Sequence, residues 1–316
     1  MTGEPSIYVE KYGMVVSRFL DDMGFAMPSS TKDPSLRTPV TAHFRAQNWN
    51  DTLLGKALHL AEYTSTGLGM VYPYVPRETK ISYGIFSTYM FLIDDSEDDI
   101  VNELRGFQND LAQGQPPKSP LLASMFRFVG TMRSEFGSYS WSTIFKSMIE
   151  FISGCVIEHR YNGRVRPAVG AVSFPYYLRQ RAGIAEPFAH FAFPQTLYPE
   201  EIYLDHYILI LEDMSDFVNY VNDVLSFYKE SILGSEDVNY ICNSATTQGV
   251  STLAALGQTC DKAIQSVKNI RSVLASKPEM LCTTEQFLQA YISWYIIQTR
   301  YHLDDLQLDI RRGAET

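Results

Sequence analysis

The sequence predicts an all-α fold of roughly ten helices, built as one domain over residues 1–316. Apolar residues recur every three to four positions through most of the chain, which is the period of one helix face. Alternation with a period of two, which marks a half-buried β-strand, is not sustained anywhere. Neither repeats nor a linker-like tract divide the chain. The two ends, 1–35 and 306–316, are expected to be flexible or peripheral.

The helices are predicted from their apolar faces and from the residues that end them. One amphipathic segment covers about Ile7 to Leu20, and a second helix begins after Asn50 and is expected to stop at Gly67 and Gly69. Later segments follow the same pattern, separated by Pro- and Gly-containing breaks. They are predicted from near Arg77 to the acidic run at 94–99 and at about Pro120–Phe136, Ser140–Tyr161, Phe174–Gly183, Glu200–Glu230, Gln248–Ala275 and Thr284–Ile310, with the polar stretch Ser231–Asn243 as a loop.

Composition excludes several classes of protein. The chain has 36 Asp and Glu against 26 Lys and Arg, a net charge of −10, whereas nucleic-acid binding proteins present a basic face. A few cations can still bind phosphate locally. Four scattered cysteines without a CxxC pair favour a reducing compartment. With no signal-like N-terminus and no apolar run near the roughly 20 residues that span a bilayer, we expect a cytoplasmic protein.

The acidic run DDSEDD at 94–99 follows the apolar segment Tyr89–Ile93. On a continuous helix Asp94 and Asp98 would share one face, with Asp95 close by, and the apolar segment predicts that they open onto an interior cavity. Carboxylates held together repel unless a cation lies among them, and oxygen ligands favour Mg²⁺. Because an acidic run alone is more often a solvated helix end, this interpretation depends on the rest of the chain.

A second polar set lies on the helix predicted over Glu200–Glu230. Asn222, Ser226 and Glu230 are spaced i, i+4 and i+8, so they share one face of a straight helix. An amide oxygen, a hydroxyl and a carboxylate form a plausible site for a hard cation, and the neighbouring Lys229 could contact a phosphate. The alternative is that the three polar side chains satisfy one another.

Three arginines stand beside apolar segments. Arg300, followed by Tyr301, comes at the end of an apolar helix, and Arg179 and Arg181 follow Tyr176–Leu178. A guanidinium in such surroundings needs an anionic partner and suits phosphate oxygens. Salt bridges to the surplus of acidic residues are the alternative for each of them.

The two motifs, DDSEDD and NDVLSFYKE, with the late Arg-Tyr pair, resemble class I terpene synthases. They look most like the fungal trichodiene-synthase group of sesquiterpene cyclases, and the resemblance covers about residues 50–305. It implies a single-domain helical bundle with a central active-site cavity. It also implies an enzyme that ionises farnesyl diphosphate, releases diphosphate and cyclises the carbocation, through a bisabolyl- or cuprenyl-type route. Three Mg²⁺ ions, which Mn²⁺ can replace, and a homodimer are further implications.

The resemblance also implies roles for single residues. Asp94 would bind two of the Mg²⁺ ions, with Asp95 and Asp98 supporting it. Asn222, Ser226 and Glu230 would hold the third. The residues expected at the diphosphate are Asn222, Lys229, Arg300, Tyr301 and Arg179 as its sensor, with Arg181 as the second candidate for the sensor. Gly183 matches the family's effector glycine, whereas Ala182 stands where bacterial members often have an acidic residue.

Aromatic side chains would stabilise the carbocation, since cation–π attraction contributes about 0.5–2 kcal/mol for each ring. The candidates are Phe91, Tyr291 and Trp294, and any of them could equally be ordinary core. Two other functions are kept as alternatives. A chain-elongating prenyltransferase would have a second Asp-rich motif in place of Asn222, Ser226 and Glu230, and a non-catalytic isoprenoid-binding protein would not need all of these ligands.

Overall fold

The structure, a computed structural model, describes residues 4–28, 33–161, 167–306, 308 and 310, with all side chains in those ranges except residues 4–7, 97, 98 and 161. Fourteen α-helices and several short 3₁₀ and π segments cover most of this part, which contains no β-strand. The all-α prediction is therefore confirmed. The helices are α1 Glu4–Met23, α2 Arg37–Arg45, α3 Asp51–Val71, α4 Arg77–Asp94, α5 Glu97–Ala112, α6 Pro120–Thr131, α7 Ser138–Tyr161, α8 Phe174–Ala182, α9 Ala185–Phe191, α10 Glu200–Tyr207, α11 Leu211–Phe227, α12 Tyr240–Gln248, α13 Thr252–Leu274 and α14 Pro278–Ile297.

The described residues form two compact units. Unit 1 comprises those of Met1–Ser30, Val165–Gln180 and Leu209–Thr316, and unit 2 comprises those of Thr31–Arg164 and Arg181–Ile208. Unit 1 therefore holds α1, most of α8 and α11 to α14. Unit 2 holds α2 to α7, α9 and α10. A single domain stays a prediction.

In unit 1, α11 is the central helix and packs against α12, α13 and α14. Apolar residues on several sides of α11 are buried, among them Met214, Phe217, Val221 and Leu225. A helix that is apolar on most sides belongs in a core. The polar residues that α11 also buries are therefore the exceptions that need a physical reason.

In unit 2, α4 packs against α3, α2 and α6. Tyr72 and Tyr83 are fully buried, and their hydroxyls donate hydrogen bonds to the carbonyls of Phe188 (2.7 Å) and Phe191 (3.0 Å) in α9. Because the last carbonyls of a helix lack partners within it, these bonds satisfy acceptors that burial would otherwise leave unpaired.

The structure corrects the predicted end of the second helix. Helix α3 continues through Gly67 and Gly69 to Val71. A Cβ atom at Gly69 would lie 3.0 Å from the Cβ of Asp33 and 3.1 Å from Leu36 Cδ1. This glycine thus permits close packing of a neighbouring segment and does not end the helix.

The predicted helix over Glu200–Glu230 is interrupted. Helix α10 ends at Tyr207, α11 begins at Leu211, and a π-helical turn, Tyr228–Leu233, follows α11. The loop predicted at Ser231–Asn243 is also shorter than expected, because the π turn continues to Leu233 and α12 begins at Tyr240. Apolar spacing did not reveal these interruptions because it reports the period of a face and not a break of a few residues.

The last helix is also shorter than predicted. Helix α14 ends at Ile297 because Gln298 has an extended backbone, and two 3₁₀ turns, Thr299–Tyr301 and Leu303–Leu306, follow it. Between them His302 has a φ of 55°, in the left-handed region. The sequence patterns also did not predict the helices α2, α5, α9 and α12.

The first prediction concerns Gly154 in α7, which lies against the end of α8. A Cβ atom there would be 2.7 Å from the carbonyl oxygen of Arg181. We expect Gly154→Ala to lower the free energy of unfolding by about 1–3 kcal/mol, because backbone must move. Gly106→Ala in α5, where no heavy atom lies within 4 Å, should instead raise it by about 0.5–1 kcal/mol. Urea denaturation measures both, and a neutral Gly154→Ala would contradict the close approach.

The second prediction concerns Glu135, a half-buried carboxyl group. Its Oε1 accepts a hydrogen bond from Ser82 (2.5 Å), and its Oε2 has no partner among the described residues. Burial raises the pKa of Glu135 from 4.5 to about 7. Between pH 4.5 and about pH 7, Glu135 therefore holds a proton in the folded protein and releases it in the unfolded chain. The carboxyl group therefore contributes stability at low pH, and this contribution is lost as the pH rises toward 7.

We therefore expect Glu135→Gln to raise the free energy of unfolding by about 1–3 kcal/mol at pH 8 and to change it little at pH 5. Urea denaturation of the wild type and the variant at both pH values provides the measurement. Glu103→Gln, at an exposed position, serves as the control and should show no such pH dependence. A gain at pH 5 as large as that at pH 8 would contradict the prediction.

Candidate functional site

Asn222 and Ser226 occupy successive turns of α11, and Lys229 and Glu230 lie in the π turn that follows. Glu230 therefore does not continue the straight α-helical face of Asn222 and Ser226, and the prediction that all three share one such face is wrong. The π turn ends at Gly234, whose backbone is extended. The Gly234 N–H donates the last hydrogen bond of the turn, to Lys229 O (3.0 Å), and a Cβ at this position would collide with Glu230 O. Such turns are frequent at functional sites.

Ser226 is 1% exposed, and its Oγ has no hydrogen-bond partner among the described residues. The buried Oδ1 of Asn219, seven residues earlier on α11, is in the same situation. Buried oxygens without partners are costly and usually indicate a missing group. With the amide oxygen of Asn222 and the carboxylate of Glu230, Ser226 Oγ offers an all-oxygen set that fits a hard cation.

This set differs from a cluster of acidic ligands. In the part of the chain that the structure describes, no three His, Cys, Asp or Glu side chains are arranged to hold a metal ion. The set formed by Asn222, Ser226 and Glu230 contains only one carboxylate. An amide and a hydroxyl would supply its other oxygens.

Arg179 of α8 lies directly against this set. Its Nε forms an ion pair with Asp223 Oδ1 (3.0 Å), and its Nη2 donates to Asn222 Oδ1 (2.5 Å) and to the carbonyl of Asn219 (3.4 Å). Burial raises the pKa of Asp223 to about 7, although the Arg179 guanidinium opposes this shift. Arg179, the first of the two sensor candidates, thus contacts both Asn222 and Asp223.

Arg300 and Tyr301 form a 3₁₀ turn that packs against the π turn of Lys229 and Glu230. Tyr301 is buried, with its ring 4.6 Å from that of Tyr295. Arg300 and Lys229 are half-buried. Unit 1 thus brings together most of the predicted diphosphate contacts with the second metal motif.

The aromatic candidates differ in their surroundings. Tyr291 and Trp294 are buried in unit 1, with ring centroids 6.1 Å apart. Phe91 of unit 2 is half-buried and meets Tyr63 edge-on at 5.6 Å. All three belong to aromatic clusters, and a role at the carbocation stays a prediction.

The acidic run is not on one helix, which corrects the prediction. Helix α4 ends at Asp94 and α5 begins at Glu97, because the chain turns at Asp95 and Ser96. Asp94 and Asp95 are exposed, and the opening of their carboxylates onto an interior cavity stays a prediction. The side chain of Asp98 lies outside the described residues. Ser96 is buried, and its Oγ has no partner among the described atoms.

Sequence reasoning missed Asp223 and Tyr295. Asp223 stands inside the NDVLSFYKE motif, on a helix rich in apolar residues, and a carboxylate in such a helix could have been identified as needing a cation. Tyr295, whose hydroxyl accepts a hydrogen bond from Asn222 Nδ2 (2.9 Å), lies 73 residues later in the chain. No local pattern connects the two residues.

A sequence model of the trichodiene synthase (TRI5) family matches residues 35–312. The chain belongs to this family. An (E)-beta farnesene synthase of Metarhizium brunneum is 33% identical over 303 residues, which are 96% of this chain and 92% of that protein. A trichodiene synthase of Stachybotrys chartarum is 26% identical over 271 residues, 84% of this chain and 70% of that protein.

A solved structure of similar fold is the linalool/nerolidol synthase of Streptomyces clavuligerus. Its TM-score is 0.59 at 16% identity, over 90% of this chain and 99% of that one. The resemblance and the class I terpene synthase fold are thereby confirmed. As a member of the family the chain is a terpene synthase, a lyase that acts on a prenyl diphosphate, and such enzymes generally use divalent metal ions.

Over the described residues, no helix combines the length and the apolar character that a membrane span requires.

The third prediction concerns the Arg179–Asp223 pair. Removing one partner of a buried pair typically costs about 3–5 kcal/mol, because an uncompensated charge remains. We expect Arg179→Met to destabilise the fold strongly at pH 8 and the double variant Arg179→Met/Asp223→Asn to recover most of the loss. Urea denaturation of the wild type, both single variants and the double variant measures the coupling. Strictly additive effects would contradict the pairing.

Proposed function

We propose that this protein is a Mg²⁺-dependent sesquiterpene synthase that ionises farnesyl diphosphate and cyclises the resulting carbocation. The observation that carries the proposal is the arrangement around Asn222. An amide oxygen, a buried hydroxyl oxygen without a partner and an arginine fork lie together on α8 and α11. The two relatives, named for farnesene and trichodiene synthesis, support farnesyl diphosphate as the substrate.

Asn222, Ser226 and Glu230 would hold one Mg²⁺ ion, and Asp94, Asp95 and Asp98 would hold two more. Bound Mg²⁺ would neutralise the negative charge that develops on the diphosphate when the allylic C–O bond breaks. The number of ions and the replacement of Mg²⁺ by Mn²⁺ belong to the proposal, as does a homodimer.

The cationic side chains would bind the diphosphate directly. Arg179 and Arg300 offer guanidinium forks, Lys229 a point charge and Tyr301 a hydroxyl donor. Such preorganised donors stabilise the leaving group more in the transition state than in the ground state. They therefore contribute to the rate of ionisation as well as to binding.

Arg179 and a cation would compete for the same oxygen. Asn222 Oδ1 accepts a hydrogen bond from Arg179 at 2.5 Å, and a Mg²⁺ ion on that oxygen would sit close to the guanidinium charge. Their repulsion favours the transfer of Arg179 to the diphosphate when metal binds. This exchange would make Arg179 sensitive to the presence of the diphosphate.

The carbocation needs surroundings that exclude water and offer aromatic faces. Phe91, Tyr291 and Trp294 are the proposed faces. Cyclisation would follow a bisabolyl- or cuprenyl-type route. We propose that the released diphosphate accepts the final proton, because none of the side chains that the structure describes stands out as the base.

The fourth prediction tests this function. Purified protein is incubated with MgCl₂ and, separately, geranyl, farnesyl or geranylgeranyl diphosphate, and the volatile products are analysed by gas chromatography–mass spectrometry. We expect a cyclic C15 product from farnesyl diphosphate that disappears with EDTA. Glu230→Gln and Asp94→Asn should each lower turnover by a factor of at least about 100, as the loss of a charged metal ligand implies, without changing the helical circular dichroism.

The control variant is Glu103→Gln, at an exposed position of α5, which should retain full turnover. An acyclic C15 olefin would contradict the cyclisation step and support ionisation. Absence of product from all three substrates, with folded protein, would contradict the proposed function. A longer diphosphate formed only with added isopentenyl diphosphate would indicate a prenyltransferase instead.

A further inference from the structure

The side-chain amide of Asn222 has two different ends, and only its oxygen can bind a cation. An amide that is free to rotate by 180° would present its NH₂ group to the metal half of the time. The surroundings of Asn222 must therefore fix which end faces the ligand position.

A chain of hydrogen bonds leads away from the nitrogen end. Asn222 Nδ2 donates to the Tyr295 hydroxyl (2.9 Å), the Tyr295 and Tyr291 hydroxyls are 3.1 Å apart, and the Tyr291 hydroxyl donates to the carbonyl of Val218 (3.3 Å). Val218 precedes Asn222 by one turn of α11. The chain, which we call the Tyr295–Tyr291 relay, thus begins and ends on the same helix.

The direction of this relay follows from chemistry. A carbonyl oxygen can only accept, so Tyr291 must donate its single hydroxyl proton to Val218. The oxygen of Tyr291 then accepts from Tyr295, and the oxygen of Tyr295 accepts from Asn222. The nitrogen of the Asn222 amide must therefore face Tyr295, and its oxygen must face the opposite side.

Arg179 occupies that opposite side and enforces the same orientation. Its guanidinium only donates, so the atom it contacts at 2.5 Å has to be the amide oxygen. In the proposed function this contact is lost when a cation arrives. The relay would then still hold the nitrogen end of the Asn222 amide.

We propose that Tyr295 is a positioning residue that orients the Asn222 amide, so that Oδ1 is presented to the metal ion. Tyr295 and Tyr291 are 2% and 4% exposed, so no solvent replaces a lost hydroxyl. Without the Tyr295 hydroxyl, Asn222 Nδ2 loses its hydrogen-bond acceptor and the amide can rotate by 180°. The inference rests on the proposed function, because it assigns a cation to Asn222.

The fifth prediction uses Tyr295→Phe, which removes one oxygen atom and retains the packed ring. The measurement is the rise in thermal unfolding midpoint produced by MgCl₂ with saturating inorganic diphosphate, recorded over a range of Mg²⁺ concentrations. We expect the half-effective Mg²⁺ concentration to increase about tenfold, as for other residues that orient metal ligands. Tyr291→Phe removes the next hydrogen bond of the relay and should increase the half-effective Mg²⁺ concentration by a smaller factor.

Tyr12→Phe is the matched control. The Tyr12 hydroxyl is buried and donates to the carbonyl of Val224 on the same helix, α11, but does not touch Asn222. Its loss should leave the half-effective Mg²⁺ concentration unchanged, even if the midpoint without Mg²⁺ falls. An equal shift in Tyr12→Phe and Tyr295→Phe would indicate a general weakening of α11 and would overturn the proposal.

The variant Asn222→Asp tests whether Tyr295 acts by orienting the side chain at position 222. A carboxylate has two equivalent oxygens, so Asn222→Asp no longer needs its ends distinguished. We expect Tyr295→Phe to shift the half-effective Mg²⁺ concentration by less than about threefold in the Asn222→Asp background, against about tenfold in the wild type. Equal shifts in both backgrounds would overturn the orienting role.

Asn222→Ala distinguishes a failure of the relay proposal from a failure of the proposed metal site. If Asn222→Ala weakens the Mg²⁺ response and Tyr295→Phe does not, the relay proposal is wrong and the metal site stands. If Asn222→Ala responds like the wild type, the metal site at Asn222 is wrong and the relay proposal falls with it.

Discussion

The buried ion pair between Arg179 and Asp223 is the interaction on which the proposed site depends. Asp223 lies on the buried helix α11 and is 7% exposed, so its charge requires a partner. Arg179 provides it and at the same time reaches Asn222. One guanidinium thus compensates a buried charge and covers the oxygen that we assign to a cation.

The same helix pair is joined by further polar contacts. Tyr176 of α8 donates to Glu212 of α11 (2.7 Å), and Gln180 donates to Asp216 (3.1 Å). Hydrogen bonds to charged groups hold α8 on α11 where apolar packing would otherwise be expected. A contact made of exchangeable hydrogen bonds suits the proposed exchange, in which Arg179 would move from Asn222 to the diphosphate.

The family and the positions of most helices could be predicted from the sequence, because motif order and apolar spacing indicate them. The order of the two motifs identified the family, and apolar periodicity located most helices, such as α1 and α4. The break at Asp95–Ser96 and the π turn at Glu230 could not be predicted, because they depend on local backbone geometry. The contacts of Asn222 with Arg179 and Tyr295 connect residues 43 and 73 positions apart, which no local pattern encodes.

The most direct test of the account is a crystal structure of the protein with MgCl₂ and inorganic diphosphate. The account predicts a Mg²⁺ ion bound to Asn222 Oδ1, Ser226 Oγ and Glu230, with the Arg179 guanidinium on a diphosphate oxygen and Asn222 Nδ2 still bonded to Tyr295. A structure with diphosphate and Mg²⁺ bound elsewhere, and with Arg179 still on Asn222 Oδ1, would contradict it.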